Sequence, residues 1–213
     1  MTPAPAPSWE TYRTSIGDRS TMFAAIASTW GVEEALYPGS YLDLSPSTAI
    51  RSVTYVDTDR RAARYFADSD LVRAELARAE PAHPTTPASA ARVEFLHADY
   101  TMPLPLADGA FDLLVSLYAG PVWDHCRRHL RPHGLLLANT SHGDAGLAAL
   151  DPDLELVAAV HHRDDRYRLD TRELDGYLVP RNPAAADRDL IRRSGRGIAY
   201  TRTAFAYLFR LLP

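Results

Sequence analysis

The sequence contains no lysine, and all 23 of its basic residues are arginine. Schiff-base enzymes and Walker A ATPases each need a lysine at a fixed position, so this absence excludes both classes. Because arginine stays protonated at any working pH, proton transfer would fall to His, Asp, Glu or Tyr. Cysteine is almost absent as well, since Cys126 stands alone. A single cysteine excludes intramolecular disulfides, cysteine-rich zinc sites and CxxC redox chemistry, and it fits a reducing cytosol.

Long apolar runs are also missing. No stretch approaches the roughly 20 apolar residues that span a bilayer, and the N-terminal residues MTPAPAPS carry no apolar signal core. The formal net charge of −4 gives no positive field that would gather nucleic acid or anionic membranes. We therefore expect a cytoplasmic protein, monomeric or homodimeric, that acts on a small molecule and binds neither nucleic acid nor membrane.

The sequence does contain enough apolar material for a folded core. Its 213 residues are 46% hydrophobic and 23% charged, which suits one soluble domain. The first eight residues are rich in proline and alanine. We expect residues 1–18 to form a flexible segment and residues 19–213 to form the domain.

Hydrophobic periodicity predicts helices and strands that alternate along the chain. Helices are predicted at 19–34, 58–80, 122–130 and 184–194. Short apolar or β-branched runs predict strands at 35–37, 53–57, 93–96, 111–117, 135–138, 154–160 and 205–211. A loop is expected at 81–91, and the Arg/Asp-rich stretch 163–175 carries no predicted element. This alternation predicts an α/β fold with a doubly wound, mostly parallel sheet.

Three segments in the middle of the chain follow one another in an informative order. Residues 93–99 read VEFLHAD, residues 104–112 read LPLADGAFD and residues 130–134 read LRPHG. This series resembles the central part of class I S-adenosylmethionine-dependent methyltransferases, although His133 replaces one of two glycines in the last segment. The resemblance covers about residues 19–160. It implies a Rossmann-like sheet of about seven strands with the last strand antiparallel.

The glycine-rich first turn of that family, an acid followed by GxGxG, is absent in its usual form. One register takes residues 41–44 as the first strand, but residues 45–52 are then too few for a parallel crossover. The preferred register takes residues 35–37 as the strand and Gly39 as the glycine of the tight turn. Tyr37 then stands in the place of the acid and Tyr41 in that of the second glycine.

The resemblance implies that S-adenosylmethionine binds at the carboxyl ends of the strands. Asp57 resembles the acid that accepts hydrogen bonds from both ribose hydroxyls. Asp99 resembles the residue that meets the adenine amino group, with Tyr100 as a stacking neighbour. The competing interpretations are helix capping for Asp57 and an ordinary loop acid for Asp99. The other implied cofactor-binding residues are Tyr37, Gly39, Ser40, Thr58, Ser116 and Leu117.

Two residues are candidates for catalysis. Tyr118 follows the apolar strand at 111–117, where the family faces its substrate. His142 follows the strand at 135–138 and is the candidate general base, oriented by Asp144 or by a backbone group. A loop that caps the next helix is the alternative interpretation of this second segment.

Three other types of site find little support. His125 and His129 are spaced as neighbours on a helix, but no further series of ligands accompanies them, so no metal site is expected. The GxSxG elbow of serine hydrolases is absent. A nicotinamide dehydrogenase is disfavoured because no GxGxxG follows either candidate first strand.

The implied activity is in-line methyl transfer from S-adenosylmethionine to a small molecule. Such a reaction needs the protein mainly to align donor and acceptor and to exclude water. Two alternatives stay open. Tyr37 and Tyr41 at the methionine-side turn favour another use of the sulfonium, such as cyclisation or cleavage of its aminobutyrate chain. The second alternative is a binding module or pseudoenzyme that has kept the fold and lost the ligand.

Overall fold

A computed structural model describes residues 8–79 and 91–213. The strands in these residues are β1 (Glu34–Pro38), β2 (Ser52–Asp57), β3 (Arg92–His97), β4 (Phe111–Ser116), β5 (Leu130–Ala138), β6 (Leu154–Arg163), β7 (Arg166–Asp170) and β8 (Ala206–Leu211). They form one sheet in the order β3-β2-β1-β4-β5-β8-β6-β7. Neighbouring strands are parallel from β3 to β5, and the pairs β5–β8, β8–β6 and β6–β7 are antiparallel.

Helices cover both faces of this sheet. They are α1 (Trp9–Ile16), α2 (Ser20–Trp30), α3 (Arg60–Ala67), α4 (Ser69–Arg78), α5 (Val122–Cys126), α6 (Asp144–Ala149) and α7 (Arg188–Ser194). Successive strand residues point to opposite faces. Leu113 and Val115 of β4 therefore pack in one core cluster with α1 to α4, whereas Leu114 packs in the other with α5 and α6. The doubly wound α/β architecture is confirmed.

The acid that follows phenylalanine at the start of β4, Asp112, has a structural role. Its buried carboxylate accepts hydrogen bonds from the backbone N–H groups of Glu33 at 2.7 Å and Glu34 at 3.0 Å. The Arg131 guanidinium lies 2.7 Å from the other carboxylate oxygen. These contacts join β4 to the start of β1. They therefore fix the relative position of the two strands whose carboxyl ends border the cavity described below.

The sheet has eight strands where about seven were expected. The additional strand, β7, lies in the stretch 163–175 to which no element was assigned. Its sequence RYRLD alternates charged and apolar residues, which is typical of an edge strand with one exposed face. Because the stretch is highly charged, the alternation of the apolar residues Tyr167 and Leu169 with charged neighbours was not recognised as a strand pattern.

Several predicted boundaries are corrected. Residues 9–16 are helical and Trp9 is buried, so the prediction of a flexible segment over 1–18 is wrong there. The single helix predicted at 58–80 is two helices, because the Asp68 side chain accepts from Leu71 N at 3.0 Å and starts α4. Residues 1–7 and most of the loop predicted at 81–91 lie outside the described residues.

The remaining predicted helices are shorter than expected. Residues 122–130 contain the α-helix α5 and a 3-10 turn at Arg127–His129, and α7 replaces the helix predicted at 184–194. None of the helices in the described ranges combines the length and the apolar character needed to cross a membrane.

Candidate functional site

A cavity of about 580 Å³ opens at the carboxyl ends of β1 and β4. These two strands are neighbours in the sheet, but β2 and β3 follow on one side of β1 whereas β5 follows on the other side of β4. Open α/β sheets bind ligands at such a switch point. Helix α1, the start of α2, the turn after β1 and the segment after β4 enclose the cavity. Its lining residues are Tyr12, Ser15, Ile16, Arg19, Tyr37, Gly39, Tyr41, Leu117 and Tyr118.

Arg19, Asp43 and Tyr37 form a buried polar cluster at the cavity. Arg19 Nη1 lies 3.0 Å from Asp43 Oδ2 and 3.3 Å from the Tyr37 hydroxyl, which donates to the same Asp43 oxygen at 3.2 Å. Burial holds the pKa of Tyr37 well above its usual value, and the Asp43 charge adds to this effect. Asp43 thus supplies a carboxylate beside Tyr37, where the resemblance implied an acid.

The turn after β1 depends on glycine at position 39. Gly39 has a φ of 66°, and its N–H donates to the Val56 carbonyl at 2.8 Å. A Cβ atom on Gly39 would lie 2.8 Å from the Cβ of Ala119, so only glycine lets the turn approach the segment after β4. The strand of the preferred register is confirmed as part of β1. A first strand at 41–44 is wrong because these residues form a turn and irregular backbone.

Asp57 lies at the end of β2, as predicted, and stabilises two backbone segments. Its Oδ2 accepts from Tyr41 N at 2.8 Å and its Oδ1 accepts from Asp59 N at 2.8 Å. The cap of α3 is Asp59, whose side chain accepts from Arg61 N. Each Asp57 oxygen retains a second lone pair, so the carboxylate can accept two more hydrogen bonds. Thr58, which follows Asp57, is exposed.

Asp99 and Tyr100 already have protein partners. Asp99 is exposed and accepts from the backbone N–H of Thr101 at 2.9 Å and from its hydroxyl at 2.7 Å, which lower the pKa of Asp99. The Tyr100 hydroxyl accepts from Gly120 N at 3.0 Å. A Cβ atom on Gly39 would lie 3.8 Å from the Tyr100 ring. Tyr100 therefore packs between the two loops that follow β1 and β4.

The segment after β4 places the predicted residues Ser116, Leu117 and Tyr118 in three different environments. Ser116 is buried, and its hydroxyl donates to the Asp144 carboxylate. Leu117 and Tyr118 line the cavity. Tyr118 has a φ of 59° and is 51% exposed, with the Arg19 guanidinium carbon 5.2 Å from its ring centroid. Ser40, after the β1 turn, is buried, and its hydroxyl has no partner among the described residues.

The expected pairing of His142 with Asp144 is wrong. Asp144 is buried at the start of α6, and its Oδ2 accepts from Ser116 and, at 3.0 Å, from Val122 N. Burial is the largest influence on this carboxyl and raises its pKa to about 7. His142 is exposed and does not line the cavity. Asp144 therefore holds β4 and α5 together and does not orient a base.

The histidine pair on the α5 segment does not converge. His129 is buried, with Nδ1 3.1 Å from the Ala107 carbonyl oxygen, whereas His125 is exposed. Across residues 8–79 and 91–213, no group of three His, Cys, Asp or Glu side chains is arranged to hold a metal ion.

Sequence reasoning missed Tyr12 and Arg19 as cavity residues. Tyr12 lies in the segment that was assigned as flexible, yet its ring packs edge-on against Tyr41 with centroids 4.9 Å apart. A usable signal was present: Trp9, Tyr12 and Ile16 have helical spacing and follow Ser8, which caps α1. Arg19 offered no comparable signal, because its burial arises from tertiary packing.

Comparisons with known proteins support the fold. No protein-family model matches the chain, and no curated protein matches its sequence. A methyltransferase structure from Geobacter sulfurreducens has 14% identity and a TM-score of 0.50, covering 99% of this chain and 92% of that one. A SAM-dependent O-methyltransferase structure from Thermotoga maritima has 14% identity and a TM-score of 0.50, covering 97% of this chain and 72% of that one. The chain has the Rossmann-like fold of class I methyltransferases.

Proposed function

We propose that this chain binds S-adenosylmethionine and transfers its methyl group to a small molecule. The observation that carries the proposal is the position of the cavity at the carboxyl ends of β1 and β4, in a fold shared with the SAM-dependent O-methyltransferase described above. We also infer that one domain includes helix α1 as well as residues 19–213, because Trp9 packs in the core. We further infer a cytoplasmic monomer or homodimer and no nucleic-acid partner.

The described residues fit this cofactor in two respects. Asp57 retains acceptor capacity for a ribose diol at the end of β2. The cavity is walled by Tyr12, Tyr41 and Tyr118, whose π systems attract a sulfonium cation. Arg19 does not leave the cavity strongly positive, because Asp43 pairs with it. Asp99 is tied to Thr101, so we assign it a weaker part in adenine recognition than the resemblance implied.

The chain's own residues would mainly position ligands and exclude water. When bound, S-adenosylmethionine supplies a methyl group on a positively charged sulfur, which is a strongly activated leaving group. Helix α1 lines the cavity with Tyr12, Ser15 and Ile16, which would shield a bound ligand from water on that side. Tyr118 also lines the cavity and is our candidate for contact with the acceptor. His142 remains a proposed base only for an acceptor that arrives protonated, since it lies outside the lining residues.

A second candidate function uses the same cofactor for non-methyl chemistry. The observation in its favour is the Tyr37–Asp43–Arg19 cluster, which takes the place of the glycine-rich turn on the methionine side. A binding protein without catalysis is the third candidate. It is favoured by the packing of Ala119 and Tyr100 against the Gly39 turn, which fills space that the turn would otherwise offer to a ligand.

Calorimetry separates these candidates. We expect S-adenosylmethionine and S-adenosylhomocysteine both to bind the full chain, and binding of neither at millimolar concentration would reject both enzyme proposals. Mass spectrometry of S-adenosylmethionine incubated with the protein alone then separates the two reactions. An intact cofactor supports methyl transfer to a separate acceptor, whereas cleaved or cyclised products support the second candidate.

A further inference from the structure

A short segment, residues 117–121, joins β4 to α5 and forms part of the cavity wall. Two of its members, Leu117 and Tyr118, line the cavity. Tyr118 is half-exposed and has a left-handed φ of 59°, which is uncommon for a residue with a side chain. Such a conformation persists only where the surrounding structure holds it. The groups that hold this segment therefore determine where the Tyr118 ring lies.

The Asp144 carboxylate binds the residues at both ends of this segment. Its Oδ2 accepts from the Ser116 hydroxyl at the end of β4. The same oxygen accepts, at the start of α5, from the backbone N–H groups of Val122 at 3.0 Å and Trp123 at 3.4 Å. Because Asp144 is buried, water does not compete for these contacts. One oxygen atom thus ties together the two ends of the segment.

Asn139, which follows β5 and is also buried, makes a further contact with the segment. Its side-chain Oδ1 accepts from Tyr118 N at 3.4 Å. Its own N–H donates to the Ser116 carbonyl at 3.2 Å, and its carbonyl accepts from Ala145 N at 3.2 Å. Asn139 is therefore joined both to the segment and to the helix that begins at Asp144.

The ring of Tyr118 is the part of the segment that a ligand would meet. It lines the cavity, and its centroid lies 5.2 Å from the guanidinium carbon of Arg19, whose charge is paired with Asp43. An aromatic ring attracts a cation over its face. A displaced ring would therefore weaken the binding of a cationic ligand more than that of a neutral ligand of similar shape.

We propose that Asp144 is a positioning residue for ligand binding: with Asn139, it holds residues 117–121 so that the Tyr118 ring stays in the cavity wall. Asp144 is not among the residues that line the cavity, so it acts through the segment. The identity of the ligand rests on the proposed function, because the sulfonium of S-adenosylmethionine is the cation that we expect there. The positioning of the segment does not depend on that function.

Hydrogen exchange of the full chain tests the positioning without a ligand. In Asp144→Leu the N–H groups of Val122 and Trp123 lose an acceptor, so the peptide 117–123 should exchange at least about 10-fold faster. Asp144→Asn keeps an acceptor oxygen and should restore most of the protection. The matched control is Asp112→Leu, since Asp112 is also a buried carboxylate that accepts from two backbone N–H groups, at the other end of β4. That control should leave the exchange of this peptide unchanged.

Calorimetry then measures the effect on ligands. S-adenosylmethionine carries the sulfonium charge and S-adenosylhomocysteine does not, so displacement of the Tyr118 ring should weaken the first ligand about 3- to 10-fold more than the second. We expect this selective loss in Asp144→Leu and in Tyr118→Ala, with no further loss in the double variant. Asp112→Leu should change neither affinity. If Asp144→Leu does not fold, Asn139→Ala removes the acceptor of Tyr118 N and should show the same selective loss and faster exchange.

The other outcomes overturn the proposal in distinguishable ways. Unchanged exchange of the peptide 117–123 in Asp144→Leu would reject the positioning of the segment. Faster exchange with equal weakening of both ligands, or additive losses in the double variant, would leave Asp144 a structural role only and reject its action through Tyr118. If neither ligand binds the wild-type chain, the proposed function fails, and the exchange measurement still decides whether Asp144 positions the segment.

Discussion

The Arg19 guanidinium and the Asp43 carboxylate form an ion pair whose side chains are 4% and 0% exposed, with Nη1 3.0 Å from Oδ2. The pair joins the start of α2 to the segment after β1. Because water reaches neither group, each charge depends on the other for stabilisation. The pair therefore ties the stability of the chain to the geometry of the cavity.

Breaking this pair should destabilise the protein strongly. Asp43→Ala leaves the Arg19 charge buried without its partner, and we expect the free energy of unfolding to fall by about 3–5 kcal/mol. The double variant Arg19→Met/Asp43→Leu removes both charges and should recover most of that loss. Urea denaturation measures both. A single variant that loses less than about 1 kcal/mol would contradict the burial of the pair.

Gly39→Ala should destabilise the chain more than the same change at Gly31. Both glycines have positive φ, 66° and 67°, so alanine costs about 1–2 kcal/mol of backbone strain at either position. At Gly39 the added methyl also meets the Ala119 Cβ, whereas nothing lies within 4 Å at Gly31. We expect a further loss of about 1–3 kcal/mol at Gly39 alone. Thermal unfolding of the two variants gives the comparison, and equal losses would show that Ala119 gives way.

The inner strands of the parallel half were predictable because β1, β2 and β4 are buried on both faces. The apolar runs in β4 and β5 are too short and too uniformly apolar to be amphipathic helices, so they were assigned as buried strands. The Asp of the FD pair, Asp112, contacts the start of β1. The edge strand β7 was not predictable with the same rule, since Arg166 and Arg168 are exposed charged residues within it.

The candidate site was less predictable than the fold. Gly39 lines the cavity and Asp57 ends β2, and both positions could be located because turns and strand ends have local signatures. Arg19 was missed as a site residue because only tertiary packing buries it beside the cavity. Asp144, one of the two groups expected to orient His142, does not do so for a related reason: sequence proximity does not show that Asp144 points inward to Ser116.

Asp57→Ala should weaken the binding of S-adenosylhomocysteine. If the carboxylate accepts from the ribose hydroxyls, its loss should cost about 1–3 kcal/mol, which is roughly a 5- to 150-fold rise in Kd. The matched control is Asp59→Ala, since Asp59 caps α3 and pairs with Arg61 at 2.8 Å. That control should leave the Kd unchanged. Calorimetry below the unfolding temperature of both variants measures the effect, and an unchanged Kd for Asp57→Ala would reject the ribose contact.

Asp144 makes the stability of the chain depend on pH. Its Oδ2 accepts from Ser116 and from the N–H groups of Val122 and Trp123, while Oδ1 has no partner among the described residues. Burial, together with a smaller contribution from the nearby Asp124 charge, raises the pKa to about 7 despite these hydrogen bonds. The native state therefore holds a proton that the unfolded chain releases near its ordinary carboxyl value of 3.8.

It follows that the contribution of Asp144 to stability is largest at acidic pH and is lost as pH rises toward about 7. Relative to Asp144→Asn, the wild-type free energy of unfolding should fall between about pH 5 and pH 7, by at most about 1.4 kcal/mol per pH unit, and level off above. The matched control is Asp151→Asn. The pKa of Asp151 is lowered, so its contribution is constant over this range and the control should shift stability equally at each pH. Urea denaturation from pH 5 to pH 8 tests both, and a pH-independent difference for Asp144→Asn would show that this carboxyl is ionised throughout.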